Sequence, residues 1–234
     1  MKHTRPARLL WIAVLLSSCF LAAGCMQFAG WFVNAFAPPQ KVKAIYKLPV
    51  GKKVLVFVED LTSPVNYEPI KAKLTESLNR RLIEHKVAGS VVPYENLLTL
   101  MTATPNFNEL HINEVGQKLE ANLVLYVRVD SFSLKEQASP LWHGRLASTV
   151  KVVDVKEGRL WPKDRPEGYP VKMVEIPVSR PVEDYQEQLS DALADRMSDQ
   201  IAKLFYAYQV SVQEAVRQEQ DSKQGPTEDN QPNL

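Results

Sequence analysis

The chain of 234 residues carries 28 Lys and Arg against 27 Asp and Glu, a formal net charge of +1, and 45% of its residues are hydrophobic. These values fit one sizeable globular core and give no reason to expect binding to nucleic acid or to a broad anionic surface. The two cysteines are Cys19 and Cys25. The rest of the chain therefore has no thiol for a disulfide framework, a thiolate metal site or a nucleophile.

Residues 1–24 have the form of a secretion signal: three basic residues, an apolar segment over 9–21, and small residues leading to Cys25. The apolar segment is shorter than the about 20 residues that a membrane span needs. The junction resembles the bacterial lipobox, in which the signal is cleaved just before a cysteine that receives diacylglycerol and an acyl chain such as palmitate. The resemblance implies that Cys25 is a lipid anchor, because several acyl chains together hold a protein stably on a membrane.

Two alternatives to this interpretation stay open. Leu16 to Cys19 also resembles a lipobox, so Cys19 is a second candidate for lipidation. An uncleaved signal anchor in the inner membrane is the other. Met26 is not the Asp that retains lipoproteins in the inner membrane under the enterobacterial sorting rule. We therefore expect the periplasmic face of the outer membrane.

The composition predicts four segments along the chain: a lipoprotein signal peptide over 1–24, a lipidated N-terminus and linker over 25–51, a single α/β domain over 52–211, and a disordered polar tail over 212–234. Pro38-Pro39 is typical of a stiff spacer. The tail has almost no apolar residue, so burial cannot offset the entropy cost of ordering it.

The first half of the domain alternates between strand and helix patterns. In chain order these are a buried strand over 54–58, an amphipathic helix from Ile70 to Leu82 with Gly89 beyond its end, a short strand at 91–92, and helical patterns over 94–101 and 110–119. Continuous β-branched runs indicate buried strands, whereas apolar residues three and four apart indicate a helix lying on the sheet.

The second half is dominated by strands, over 123–132, 145–155 and 171–178, and a long helical stripe from Leu189 to Tyr208 follows them. Strands without intervening helices imply antiparallel hairpins. The predicted fold is α/β (α+β), with a mixed sheet of about five strands in the order β-α-β-α-β-β-β-α and helices packed on the sheet.

Two segments, 116–125 and 150–161, resemble the curli-secretion (CsgG-like) and TolB N-terminal-like envelope domains. In the second segment Asp154 is expected to bond local amides, Gly158 to supply a positive φ, and Trp161 to restart strand pairing. The resemblance implies a protein that acts by binding. We expect a membrane contact through the lipid anchor, an envelope protein partner and no nucleic acid, with a homo-oligomer left open.

Motifs of catalysis are missing from the sequence. There is no Gly-x-Ser-x-Gly elbow, phosphate-binding glycine loop or dinucleotide fingerprint, and His85, His111 and His143 lack the spacing of zinc ligands. Each histidine is more often a surface or hydrogen-bonded residue than a ligand. We expect no enzyme activity, no cofactor and no metal.

Two residue pairs are candidates for partner binding. Glu59 and Asp60 end the first buried strand, where open sheets often border a ligand crevice, although a solvated turn explains them as well. Trp142 and His143 are expected in a loop between strands, where an exposed Trp is a common interface anchor; core packing is an equal alternative. The hypothesis is a non-catalytic adaptor or assembly subunit. The alternative is a periplasmic small-ligand or glycan-binding module, hydrolytic or not, with both pairs in one pocket.

Overall fold

The computed structural model describes residues 40–60, 69–135, 142–177 and 185–210. Cys19, Cys25 and the tail over 212–234 lie outside the described residues. The chain divides into two units, one of Lys43–Ala207 and one of Met1–Val42 with Tyr208–Leu234. In the second unit, strand β1 (Gln40–Val42) pairs antiparallel with strand β8 (Tyr208–Val210).

The unit over 43–207 contains the remaining elements. In chain order they are β2 (Lys53–Asp60), α1 (Pro69–Glu84), β3 (Ser90–Val91), α2 (Tyr94–Ala103), a 3₁₀ turn (Phe107–Glu109), α3 (Ile112–Lys118), β4 (Leu123–Lys135), β5 (Trp142–Asp154), β6 (Gly158–Trp161), β7 (Tyr169–Pro177) and α4 (Tyr185–Lys203). The predicted fold class is confirmed: four helices pack on a mixed sheet, which has six strands among the described residues where the sequence predicted about five.

The sheet has the strand order β3-β2-β4-β5-β6, and β7 pairs with the same edge of β5 as β6 does. Strand β2 is parallel to both of its neighbours, β3 and β4, as a fully apolar run predicts. Strands β5, β6 and β7 are joined by antiparallel pairing. The strand predicted over 54–58 is therefore confirmed, and it has a partner strand on each side.

Alternation along the strands sends side chains to two separate cores. On the first face, Val56, Leu125 and Val152 pack against the apolar stripes of α1 and α4. On the second face, Leu55 and Val124 pack against residues of α2 and α3. Full burial of such an aliphatic side chain contributes about 1.5–3 kcal/mol, so both faces stabilise the sheet.

The hairpin between β5 and β6 has the predicted chemistry. Oδ1 of Asp154 accepts hydrogen bonds from the backbone N–H groups of Lys156 and Glu157, at 2.8 and 3.0 Å. Gly158 has a φ of 86°. Trp161 of β6 pairs with Val152 of β5, and its ring stacks on that of Tyr169 at a centroid distance of 4.9 Å. The roles expected for Asp154 and Gly158 are confirmed. The role expected for Trp161 is wrong, because strand pairing restarts at Gly158, opposite Asp154, and Trp161 is the last residue of β6.

Two details of the predicted elements are wrong. Trp142 and His143 are the first residues of β5, not part of a loop, because β4 and β5 continue their pairing as far as Lys135 and Trp142. The last helix ends at Lys203, and Tyr208, predicted on its stripe, lies in β8. Both errors come from reading local pattern where long-range strand pairing decides the structure.

Candidate functional site

Beyond the area that contacts α2 and α3, the second face of the sheet carries polar side chains from three adjacent strands. Tyr126 lies opposite Phe57 and Lys151, and Arg128 lies opposite Glu59 and Thr149 in the strand register. We call the following residues the sheet patch: Glu59, Tyr126, Arg128, Asp130, Thr149 and Lys151. Apart from the buried Thr149, these residues are partly exposed. The polar groups of the sheet patch are therefore accessible to a binding partner.

One half of the sheet patch is built around Tyr126. Its hydroxyl donates a hydrogen bond to the Glu59 carboxylate, and its ring stacks on Phe57 at a centroid distance of 6.1 Å. The ammonium of Lys151 lies 5.8 Å from the same ring. Burial, followed by the hydrogen bond to Glu59, raises the pKa of the Tyr126 hydroxyl above its ordinary value. Tyr126 is thus held as a neutral donor between an anion and a cation.

The other half is a chain of charge-assisted hydrogen bonds. Nε of Arg128 donates to Asp130 at 2.7 Å, and the Thr149 hydroxyl donates to the other oxygen of Asp130 at 2.6 Å. The hydrogen bond to Asp130 raises the pKa of the Arg128 guanidinium above its ordinary value. Nη1 of Arg128 also lies 3.6 Å from the exposed Glu167. Such bonds restrict the plane of the guanidinium, and the Arg128 side chain remains 23% exposed.

The charges of the sheet patch balance, with two cations, Arg128 and Lys151, and two carboxylates, Glu59 and Asp130. Both carboxylates accept hydrogen bonds from neighbouring side chains. The sheet patch thus presents polar and aromatic side chains that are hydrogen-bonded to one another on one face of the sheet.

The four candidate partner-binding residues fall into two places. Glu59 and Asp60 end β2, opposite Arg128 and Val129 of β4. Trp142 pairs with Lys135, six residues further along β4 than the partner of Asp60. At about 3.3 Å per residue this is roughly 20 Å along the strand. Glu59 joins the sheet patch, whereas Trp142 and His143 lie at the far end of the β4–β5 pair.

The histidines are dispersed as the sequence suggested. The ring of His85 stacks on Tyr206 at 3.8 Å, and His111 precedes α3, where its backbone N–H donates to the Glu114 carboxylate at 3.0 Å. Nε2 of His143 lies 4.0 Å from Glu175. Within the described parts of the chain, no group of three or more His, Cys, Asp or Glu is arranged to hold a metal ion.

Of the helices in residues 40–60, 69–135, 142–177 and 185–210, none is both long enough and apolar enough to cross a membrane.

Sequence reasoning missed most of the sheet patch. The segment over 123–132 is predicted only as a strand, although polar side chains stand at every second position of it, namely Tyr126, Arg128 and Asp130. This period-two pattern places all three on one face of a strand. The partners Thr149 and Lys151 could not be found in this way, because they depend on the register between β4 and β5.

Comparison with known proteins gives similarities at the level of structure. No protein-family model matches the chain, and no curated protein matches it significantly. Two solved structures illustrate the similarity. The PelC dodecamer from Paraburkholderia phytofirmans is 12% identical with a TM-score of 0.42, over 72% of this chain and 99% of that one. Lipoprotein GNA1162 from Neisseria meningitidis is 14% identical with a TM-score of 0.41, over 64% and 99%.

A third similar structure is that of lipoprotein B from Nitrosomonas europaea, at 12% identity and a TM-score of 0.29, over 76% of this chain and 92% of that one. Several of the structures similar to this chain are thus bacterial lipoproteins.

Proposed function

We propose that this protein is a bacterial lipoprotein, anchored through Cys25 to the periplasmic face of the outer membrane, and that it acts as a non-catalytic adaptor or assembly subunit of an envelope complex. The observation that carries the anchor is the sequence of residues 1–25: a basic start, an apolar run, then Ala22-Ala23-Gly24-Cys25. Such a junction is typical of lipid attachment, which holds a protein on a membrane without a spanning helix.

The adaptor role is supported by the sheet patch. Tyr and Arg are the residue types enriched where protein interfaces gain most of their binding energy. Tyr126 and Arg128 are also held in place before binding, by Glu59 and Asp130 respectively. A rigid side chain loses less conformational entropy on association, so this arrangement suits a protein partner.

The alternative, a small-ligand or glycan site, needs Glu59, Asp60 and Trp142 around one pocket. The strand register separates Asp60 from Trp142 by roughly 20 Å along β4, which argues against that pocket. We accordingly propose that the protein has no catalytic activity and needs no cofactor.

Site-specific photo-crosslinking in the periplasm tests the adaptor proposal. A photoreactive residue replaces Lys151 in the sheet patch, and a matched variant carries it at Arg80, an exposed position of α1 on the first face. The Lys151 position should give a discrete adduct that is weakened when Arg128→Ala is added, and the Arg80 position should not. An adduct of twice the protein's mass would indicate self-association. Equal crosslinking from both positions, or none from Lys151, would contradict the adaptor role of this face.

A further inference from the structure

The charge of the chain is unevenly distributed. The first acidic residue is Glu59, so residues 1–58 contain no Asp or Glu. Five lysines lie between 41 and 53. When they and the three basic residues of 1–24 are set aside, 20 of the 28 basic residues remain against all 27 acidic ones. The small net charge therefore conceals a basic segment on the side of the chain nearest to the proposed anchor.

Residues 43–52, which we call the basic loop, lead into β2 at the start of the unit over 43–207. Lys43, Ile45 and Lys47 are exposed at alternate positions, while Leu48 is buried in the first-face core. The backbone is held in place, because the N–H groups of Ile45 and Tyr46 donate to the Leu204 carbonyl at 2.8 and 3.0 Å. The lysines of the loop are thus attached to a backbone that hydrogen bonds hold in place.

The end of the basic loop exposes an apolar side chain. Val50 is 96% exposed and Ile45 is 52% exposed. The turn that carries Val50 is attached to the rest of the unit, since the Gly89 N–H donates to the Lys52 carbonyl at 3.1 Å. Among the described residues no ion pair engages Lys43, Lys47 or Lys52. An apolar residue at the tip of an attached turn, with Lys47 and Lys52 within three residues of it in the chain, fits a membrane surface better than bulk water.

We propose that the basic loop docks on anionic phospholipid headgroups, with Lys43, Lys47 and Lys52 at the phosphates and Val50 inserted at the boundary between headgroups and acyl chains. The inference rests on the proposed lipid anchor, which supplies a high local concentration of membrane. Between Cys25 and Lys43 the chain can span at most about 60 Å, so an anchor at Cys25 does not by itself determine which side of the domain faces the membrane. Docking fixes which side of the domain faces the membrane.

The three lysines set the strength of the binding between the basic loop and the membrane. One Lys near an anionic membrane surface contributes about fivefold in binding, and three contribute roughly 100-fold at low ionic strength. The interaction is electrostatic, so salt above about 0.5 M should weaken it strongly, since the screening length then falls well below 8 Å.

The test uses the mature lipidated protein. A single added cysteine, Val50→Cys, can be labelled selectively with an environment-sensitive dye, because a lipidated Cys25 has no free thiol and Cys19 is removed with the signal. The labelled protein is reconstituted with vesicles of phosphatidylethanolamine and phosphatidylglycerol, or of phosphatidylethanolamine and phosphatidylcholine. The matched control is Met173→Cys, an exposed position on β7.

The Val50 dye should shift to the blue and be quenched by brominated phospholipid on the phosphatidylglycerol vesicles only, whereas the Met173 dye should not. Replacing the three lysines by Gln should lower the ratio of docked to undocked protein roughly 100-fold, and replacing them by Glu, which adds repulsion from the anionic lipid, should lower it further. A Val50 dye that stays in water while the protein floats with the vesicles overturns the docking proposal alone. A protein that does not float and whose Cys25 thiol reacts with the dye overturns the anchor, and docking with it.

Discussion

The Arg81 guanidinium on α1 lies 2.8 Å from the Asp195 carboxylate on α4 and also donates to the Asp195 carbonyl, to Ser198 and to Asp199. Lys73, about two turns before Arg81 on α1, pairs at 3.0 Å with Asp191, which lies about one turn before Asp195 on α4. Because the contacts advance together in chain order, the two helices run parallel. One helix supplies the basic side chains and the other the acidic ones, so the pairing fixes which faces of α1 and α4 meet.

Arg81 should therefore matter more to stability than its neighbour Arg80. Arg81 is 18% exposed, whereas Arg80 is 57% exposed and lies 3.4 Å from Asp195. We expect Arg81→Ala to lower the free energy of unfolding by about 2 kcal/mol, because several charge-assisted bonds are lost. Arg80→Ala should cost less than about 0.5 kcal/mol. Urea unfolding of both variants provides the measurement, and equal losses would show that the Arg81 contacts contribute no more than a surface ion pair.

The hydroxyl of Tyr126 should make stability depend on pH. Its pKa is raised in the folded protein, so the folded state keeps this proton at a pH where the unfolded chain loses it. The resulting stability is fully present below about pH 10 and falls as the pH rises further. The advantage of the wild type over Tyr126→Phe, about 1 kcal/mol at neutral pH, should therefore shrink above that value.

Taking the difference between the two proteins at each pH cancels the titration of all other groups. A gap that stays constant or widens between neutral pH and about pH 11 would mean that burial and the hydrogen bond to Glu59 do not raise the pKa of the Tyr126 hydroxyl.

Two glycines with positive φ should respond differently to Ala. Gly158 has a φ of 86° and open space around the position of a Cβ, so Gly158→Ala should cost only the backbone strain, about 1 kcal/mol. At Gly168 a Cβ would lie 2.5 Å from Cγ2 of Thr149, in the sheet patch. Gly168→Ala should cost about 2 kcal/mol or more.

The steric part of that cost can be isolated. Thr149→Ser removes the clashing methyl group and keeps the hydroxyl that bonds Asp130, so it should recover part of the Gly168→Ala loss in a double-mutant cycle of urea unfolding. Additive effects in the cycle would show that the loop around Gly168 does not pack on Thr149.

The parts of the fold that local chemistry decides were predictable from the sequence. The buried run of β2, the stripe of α1 and the turn from Asp154 to Gly158 each depend on residues close together in the chain. The sheet patch was not predictable, because Glu59 and Tyr126 are 67 positions apart and meet only through the parallel pairing of β2 and β4. The prediction that Trp142 lies in a loop was wrong for the same reason, because its pairing with Lys135 extends β5 into this segment. Anchoring at Cys25 stays a prediction.

We propose that Cys25 carries a lipid and holds the protein on the membrane. Intact mass and membrane fractionation of the full-length protein, beside Cys25→Ala and the matched Cys19→Ala, test this. We expect a wild-type mass that corresponds to loss of residues 1–24 and gain of acyl groups, unchanged by Cys19→Ala, with modification and outer-membrane retention lost in Cys25→Ala. An unmodified, uncleaved protein in the inner membrane, or acylation that depends on Cys19, would contradict it.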